Sequence, residues 1–187
     1  MTKTIILDRD GVINEDSDAY IKSPDEWLPI PGSLEAIARL NRAGFRVVVA
    51  TNQSGVARGY FDLAMLHRIH QKMLDSLKQV GGHLDGIFFC PHGPDDGCDC
   101  RKPRAGLLHQ IAEQFQIELT GIPAIGDSLR DLQAAQEVGA QPILVLTGKG
   151  GQTLRALNGK AGLPVYRDLA AAVDTLLETT ASGDQNP

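Results

Sequence analysis

At 187 residues, with 42% hydrophobic and 22% charged residues, the chain has the length and composition of one globular domain with a sizeable core. A formal net charge of −5 argues against a general nucleic-acid binder or a basic membrane-surface protein, and leaves small molecules as the expected partners. The opening MTKTIILDRDG offers too few apolar residues for a signal peptide and no run approaches bilayer length, so a cytoplasmic protein with no membrane partner is expected.

In chain order, TIIL (4 to 7) is a short β-branched run that stops at Asp8, a predicted strand. Asn14 to Pro31, with three prolines and the lone Trp27, is long enough to be a loop over a site. Ser33 to Ala43 places apolar residues at 34, 37, 38 and 40, which predicts a helix capped by Ser33 and stopped by Gly44. A strand over 45 to 50 follows, then a helix from Asp62, its N-cap, to Val80. Strands over 85 to 90, 122 to 126 and 141 to 146 alternate with helices over 105 to 115 and 131 to 138, the last ending at Gly139. Residues 1 to 178 read as one domain, and the small polar TTASGDQNP (179 to 187) as a frayed tail. Continuous apolar strands joined by helices predict an α/β fold with a doubly wound parallel sheet, whose ligands sit beyond the carboxyl ends of the strands.

The chemistry-bearing residues follow that rule. Asp8 and Asp10 come after the first strand, Thr51 and Asn52 after the second, Cys90 ends the third, Asp127 follows the fourth, and Thr147 with Lys149 the fifth. A D-x-D pair at a strand end is either a polar turn or a nucleophile with a general acid/base around a divalent cation. Asp127 is placed to complete a Mg²⁺ site, and Asp131 to orient a cation or cap the helix that follows. ATNQSG supplies a hydroxyl, an amide and turn N–H groups suited to phosphoryl oxygens, and Lys102 the positive charge. TGKGG lacks Walker spacing and reads as a strand-exit turn, while His67, His70, His83 and His109 read as surface or interface residues.

All three cysteines lie between 90 and 100. Cys90, His92, Cys98 and Cys100 form C-x-H and C-x-C pairs separated by GPDDG, a ligand set for a closed tetrahedral Zn²⁺ of structural role, against the alternative of a free-thiol cluster. Asp95, Asp96 and Asp99 read as solvated loop carboxylates. Arg101 and Lys102 follow Cys100 at once, so a locked loop would fix where both side chains emerge.

The ordered set D-x-D, T, K and G-D-x-x-x-D, from Leu7 to about Gly151, resembles the haloacid dehalogenase-like phosphohydrolase superfamily. That resemblance implies a Rossmann-like fold with a zinc-binding loop insertion and no separate cap domain, so loops choose the substrate in a compact monomer. It also implies Asp8 as the nucleophile that becomes an aspartyl-phosphate and Asp10 as the general acid/base. Mg²⁺ would lie on Asp8, the Asp10 carbonyl and Asp127, with Thr51 and Lys102 stabilising the phosphoryl oxygens. Such chemistry calls for an ionised Asp8 and an environment that lets Asp10 hold a proton. Arg9 between them is expected to face away and to be structural.

Within the superfamily, C-P-H and C-x-C-R-K-P resemble small zinc-bearing members acting on a heptose bisphosphate or on histidinol phosphate. TNQSGVARGYF and DRDGVINED with Tyr20 look like the heptose type, which supplies nucleotide-activated heptose; the histidinol type would read TNQDG. By that resemblance Asp16, Tyr20, Thr51, Asn52, Gln53, Ser54, Arg101 and Lys102 contact substrate. Arg101 is placed for the phosphate that stays on, with Arg58 and Lys149 as further candidates. Ser128 departs from the lysine some relatives carry. A receiver-like phospho-aspartate signalling module shares several of these features, but the acid at Asp10 favours turnover, and a zinc-clasped adaptor would leave Asp8, Thr51 and Asp127 without a role.

Overall fold

The computed structural model describes residues 3–158 and 162–183. Six strands, β1 (Thr4–Leu7), β2 (Arg46–Asn52), β3 (Gly86–Cys90), β4 (Pro123–Gly126), β5 (Gln141–Val145) and β6 (Val165–Tyr166), form one sheet in the order β3-β2-β1-β4-β5-β6. Every neighbouring pair is parallel. The flanking helices are α1 (Ser33–Arg42), α2 (Leu63–Gln79), α3 (Gly106–Phe115), α4 (Leu129–Glu137), α5 (Gly150–Ala156) and α6 (Leu169–Gly183).

Side-chain alternation along the strands sorts the core into two layers. Ile5, Leu7, Val47 and Val49 point into one, shared with Ile37 and Leu40 of α1, Ile69 and Met73 of α2, and Val173 of α6. Ile6, Val48 and Ala50 point into the other, against Leu107 and Ile111 of α3 and Ala134 and Ala135 of α4. Burial on both faces is what lets a parallel sheet read as unbroken apolar runs, and each fully buried Ile or Leu contributes roughly 1.5–3 kcal/mol.

The doubly wound expectation holds, with additions. The short β6, α5 and α6 were not foreseen. α6 packs on α1 and runs to Gly183, beyond the expected boundary at 178, while residues 184 to 187 of the expected tail lie outside the described residues. Asp62 caps α2 as expected, accepting from the Met65 amide at 2.7 Å. Ser33 does not cap α1. Gly32 at φ 83° holds that position, and the Ser33 hydroxyl donates instead to the Ile13 carbonyl at 2.6 Å. α4 starts two residues earlier than expected, because the Asp131 carboxylate accepts from both the amide and the hydroxyl of Ser128 at 3.0 and 2.6 Å.

Strand order reverses between β1 and β4, so the crevice at their carboxyl ends is the place for a ligand. The 14-to-31 segment lies beside it, held by bridges from Asn14 to Asp10 and Pro29 and anchored in the core by Ile21 and Trp27. Among the described residues no helix is long and apolar enough to cross a membrane.

Candidate active site

Asp8 leaves β1 and Asp127 leaves β4, and their carboxylates, with that of Asp131, lie within 4.8 Å of one another. Crowding three acids in a buried crevice opposes their ionisation. Burial first, then the neighbouring Asp131, pushes Asp8 up to about 7 despite Lys102, and burial with the charge of Asp8 pushes Asp127 up to about 8. Hard oxygen donors that repel one another in this way fit a divalent cation, with Asp8 and Asp127 as the carboxylates free to hold it.

Asp131 is not free, because Lys102 and the helix cap take both of its oxygens. The Lys102 ammonium, on a residue 4% exposed, lies 2.6 Å from Asp131 Oδ1 and 3.0 Å from Asp8 Oδ1, and donates to the Ala50 carbonyl at 2.7 Å. Burial alone would favour the neutral amine, but the two carboxylates outweigh it and hold Lys102 charged. Asp131 therefore performs both functions open to it in the sequence, orienting the cation and capping α4. Asn52 fixes the lysine backbone. Its Nδ2 donates to the Lys102 carbonyl and its Oδ1 accepts from the Lys102 amide, both at 3.0 Å, so the side chain expected to meet substrate is spent on the loop that carries the cation.

Asp10 sits in a cradle of donors. Arg9 Nε and Nη2 reach Oδ1 at 3.0 and 2.8 Å and Nη2 reaches Oδ2 at 3.0 Å. Asn14 Nδ2 adds a bond to Oδ1 at 2.8 Å and Gln53 Nε2 one to Oδ2 at 2.9 Å. Gln53 also donates to the buried Thr51 hydroxyl at 3.0 Å, so its amide is engaged by Asp10 and Thr51 rather than standing free. Burial would raise the Asp10 pKa, but Arg9, Asn14 and Gln53 together hold it below the ordinary carboxylate range. Among the protein's own groups the expected order is thus reversed, with Asp10 ionised and Asp8 inclined to hold a proton. Burial and Asp131 raise Asp8, and the Arg9 fork, which turns back onto its neighbour instead of away from it, is the first cause that lowers Asp10.

Two glycines hold Asp127. A Cβ on Gly11, at φ 81°, or on Gly148, at φ 56°, would collide with the Asp127 carboxylate. The amide of Lys149 donates to Asp127 Oδ2 at 2.7 Å, and the Thr147 hydroxyl donates to the Gly11 carbonyl at 2.6 Å, so the TGKGG turn belongs to the site through one backbone amide and one hydroxyl.

A cavity of about 370 Å³ opens over these groups. Its walls include every residue expected at the substrate: Asp16, Tyr20, Thr51, Asn52, Gln53, Ser54, Arg58, Arg101, Lys102 and Lys149. Lys149 and Asp16 pair with each other, the ammonium lying 3.3 Å from Asp16 and 3.6 Å from Asp18. Tyr20 packs on Tyr60 with ring centroids 5.0 Å apart. Ser17, Asp18 and Arg130 line the cavity unforeseen. Arg130 lies two residues after Ser128, whose hydroxyl is committed to Asp131. His70 corrects another expectation: it is buried against Phe89, and burial followed by the charge of Arg9 lowers its pKa to about 3, leaving it neutral.

The cysteine cluster lies at the end of β3. Cys90 Sγ is 3.7 Å from Cys98 Sγ and 3.6 Å from His92 Nδ1, and His92 Nδ1 is 3.3 Å from Cys100 Sγ. Tetrahedral zinc, with bonds of about 2.3 Å to sulfur and about 2.0 Å to nitrogen, has edges of about 3.8 and 3.5 Å. The four ligand atoms fit that metal. Asp96 is not simply solvated, since it accepts from the Gly93 amide at 2.7 Å and closes the turn between the ligand pairs.

A family model described as polynucleotide kinase 3 phosphatase matches residues 2–128, and one described as HAD-hydrolase-like matches residues 99–172. The chain is 58% identical over 176 residues to the D-glycero-β-D-manno-heptose-1,7-bisphosphate 7-phosphatase of Bordetella bronchiseptica, covering 94% of this chain and 98% of that one. The enzyme of the same name from Pseudomonas aeruginosa is 56% identical, with coverage of 93% and 97%. The solved B. bronchiseptica D,D-heptose 1,7-bisphosphate phosphatase, complexed with magnesium and phosphate, superposes with a TM-score of 0.92 at 58% identity, over 95% of this chain and 99% of the other. That from Burkholderia thailandensis gives a TM-score of 0.71 at 48% identity, over 94% and 98%. The parallel sheet, the aspartates at its reversal point and these matches agree: the chain belongs to the heptose-1,7-bisphosphate 7-phosphatase family of the haloacid dehalogenase-like hydrolases.

Proposed function

We propose that the chain hydrolyses the C7 phosphate of D-glycero-D-manno-heptose 1,7-bisphosphate and leaves the 1-phosphate in place. The observation that carries the reading is Asp8 held 3.0 Å from a buried, charged Lys102 in a chain 58% identical to a named phosphatase of that substrate. Asp8 attacks phosphorus and forms an aspartyl-phosphate; Asp10 gives a proton to the departing sugar oxygen and takes one from the attacking water. The Thr51 hydroxyl and the Lys102 ammonium stabilise the phosphoryl oxygens in transit. Magnesium on Asp8, the Asp10 carbonyl and Asp127 would supply the charge neutralisation that lets a carboxylate approach a phosphate. Arg101 and Arg58 at the cavity wall take the phosphate that stays on, and Asp16, Tyr20 and Ser54 the sugar. Zinc on Cys90, His92, Cys98 and Cys100 would fix the loop from which Arg101 and Lys102 emerge.

The test is a panel of phosphate esters with magnesium. The heptose 1,7-bisphosphate should give the highest kcat/KM, and Asp8→Asn should abolish turnover. Equal or better hydrolysis of histidinol phosphate would overturn the substrate assignment, and unchanged turnover by Asp8→Asn would overturn the mechanism.

A further inference from the structure

Arg9 is 1% exposed, and it is absent from the cavity wall that its neighbour Asp10 joins. Its only ion pair among the described residues is with Asp10, so the charge is buried in order to meet that one carboxylate. The two oxygens of Asp10 are not treated alike. Oδ1 accepts from Arg9 Nε, Arg9 Nη2 and Asn14 Nδ2, which exceeds the roughly two lone-pair directions a carboxylate oxygen offers. Oδ2 accepts one bond from Arg9 and one from Gln53, whose amide is shared with the Thr51 hydroxyl on the cavity side. A neutral amide donor yields more readily to a competing partner than a charged guanidinium fork does.

We infer that Arg9 is a positioning residue for proton transfer, fixing the Asp10 carboxylate so that Oδ2 alone exchanges a proton with substrate and water. The inference rests on the reading of Asp10 as the general acid/base. In the first half-reaction the phosphorus–oxygen bond to the sugar breaks as the Asp8 oxygen–phosphorus bond forms, and a proton taken up from solvent on Oδ2, in place of the Gln53 bond, moves to the departing sugar oxygen. In the second, a water oxygen bonds phosphorus, the Asp8–phosphorus bond breaks, and a water proton returns to Oδ2. Without the fork the carboxylate turns about its own side-chain bonds, and an alkoxide leaving group loses its aligned donor.

Leaving groups separate this role from a merely structural one. A sugar alkoxide needs the proton, whereas 4-nitrophenolate departs as a stabilised anion, and kcat/KM reports the step in which either leaves. Arg9→Met is expected to lower kcat/KM for the heptose bisphosphate by about 30-fold or more, and that for 4-nitrophenyl phosphate by less than about threefold. The KM for the sugar should stay close to that of the wild type. Arg9→Lys, which keeps the charge but not the fork, should fall between, and it carries the test alone if Arg9→Met does not fold. Equal losses on both substrates, or none, would overturn the inference. Asp10→Asn is the control: if it shows no leaving-group dependence, the acid assignment itself fails, whereas dependence in Asp10→Asn without it in the Arg9 variants rejects only the role of Arg9.

Discussion

Magnesium binding should release protons, because the carboxylates offered to the ion are those the protein is least able to ionise unaided. With Asp8 near 7 and Asp127 near 8, competition with protons at pH 6 weakens apparent affinity by about 10-fold at the first and about 100-fold at the second. At pH 8 the combined penalty is only about twofold, so affinity should rise by some two to three orders of magnitude between pH 6 and 8. Near pH 7 roughly one to two protons should leave per ion bound. Titration calorimetry in buffers of differing ionisation enthalpy reads both quantities directly. An affinity that changed less than about threefold over this range, with no buffer-dependent heat, would refute the reasoning. The same shifts set a sign for stability. Both folded-state values lie above the unfolded 3.8, so the stability these groups lend the metal-free fold is full below that value, falls as pH rises and is lost once pH has passed through 7 to 8, and magnesium should restore stability most at the alkaline end.

Asn52→Ala should lower kcat by about 10- to 100-fold with a smaller change in KM, because it frees the Lys102 backbone while leaving the cavity wall otherwise intact; steady-state kinetics with an unaltered kcat would contradict it. Gly11→Ala must both hold an alanine at φ 81° and push against Asp127, and should weaken magnesium by more than about tenfold in the same calorimetric assay. Cys98→Ser should abolish binding of about one zinc per chain, measured by metal analysis, and lower Tm by about 5 °C or more while magnesium still binds. Finding no zinc in gently purified wild-type protein would remove the basis for that expectation.

The parts of this molecule legible in the sequence are those in which local chemistry and tertiary position coincide. TIIL, FRVVVA and the Ile143–Val145 part of QPILVL are largely buried and announce themselves as core strands, and Asp8 stands immediately after the first of them. The cluster of Cys90, His92, Cys98 and Cys100, which could hold a metal ion, was legible because all four fall within eleven residues. β6 was missed because a two-residue pairing leaves almost no periodic signal, and α5 because it opens on two glycines that read as a turn. At the site, residue identities were visible but allegiances were not. Whether Asn52 and Gln53 face substrate or the protein depends on side-chain torsions and on which backbone atoms lie across the crevice. Arg9 was misread for the same reason: alternation describes an extended strand, and β1 has already ended at Leu7.

Lys149 divides its two halves between two tasks. Its amide supports Asp127, while its ammonium draws in Asp16 and Asp18 of the segment that walls the entrance. Any residue with a backbone N–H can perform the first task, and only proline cannot. The second is a matter of length and charge. The doorway can therefore be loosened, tightened or given a different electrical character at this position while the cation seat beneath it stays intact, so what the protein admits and how it cleaves are separately adjustable at a single residue.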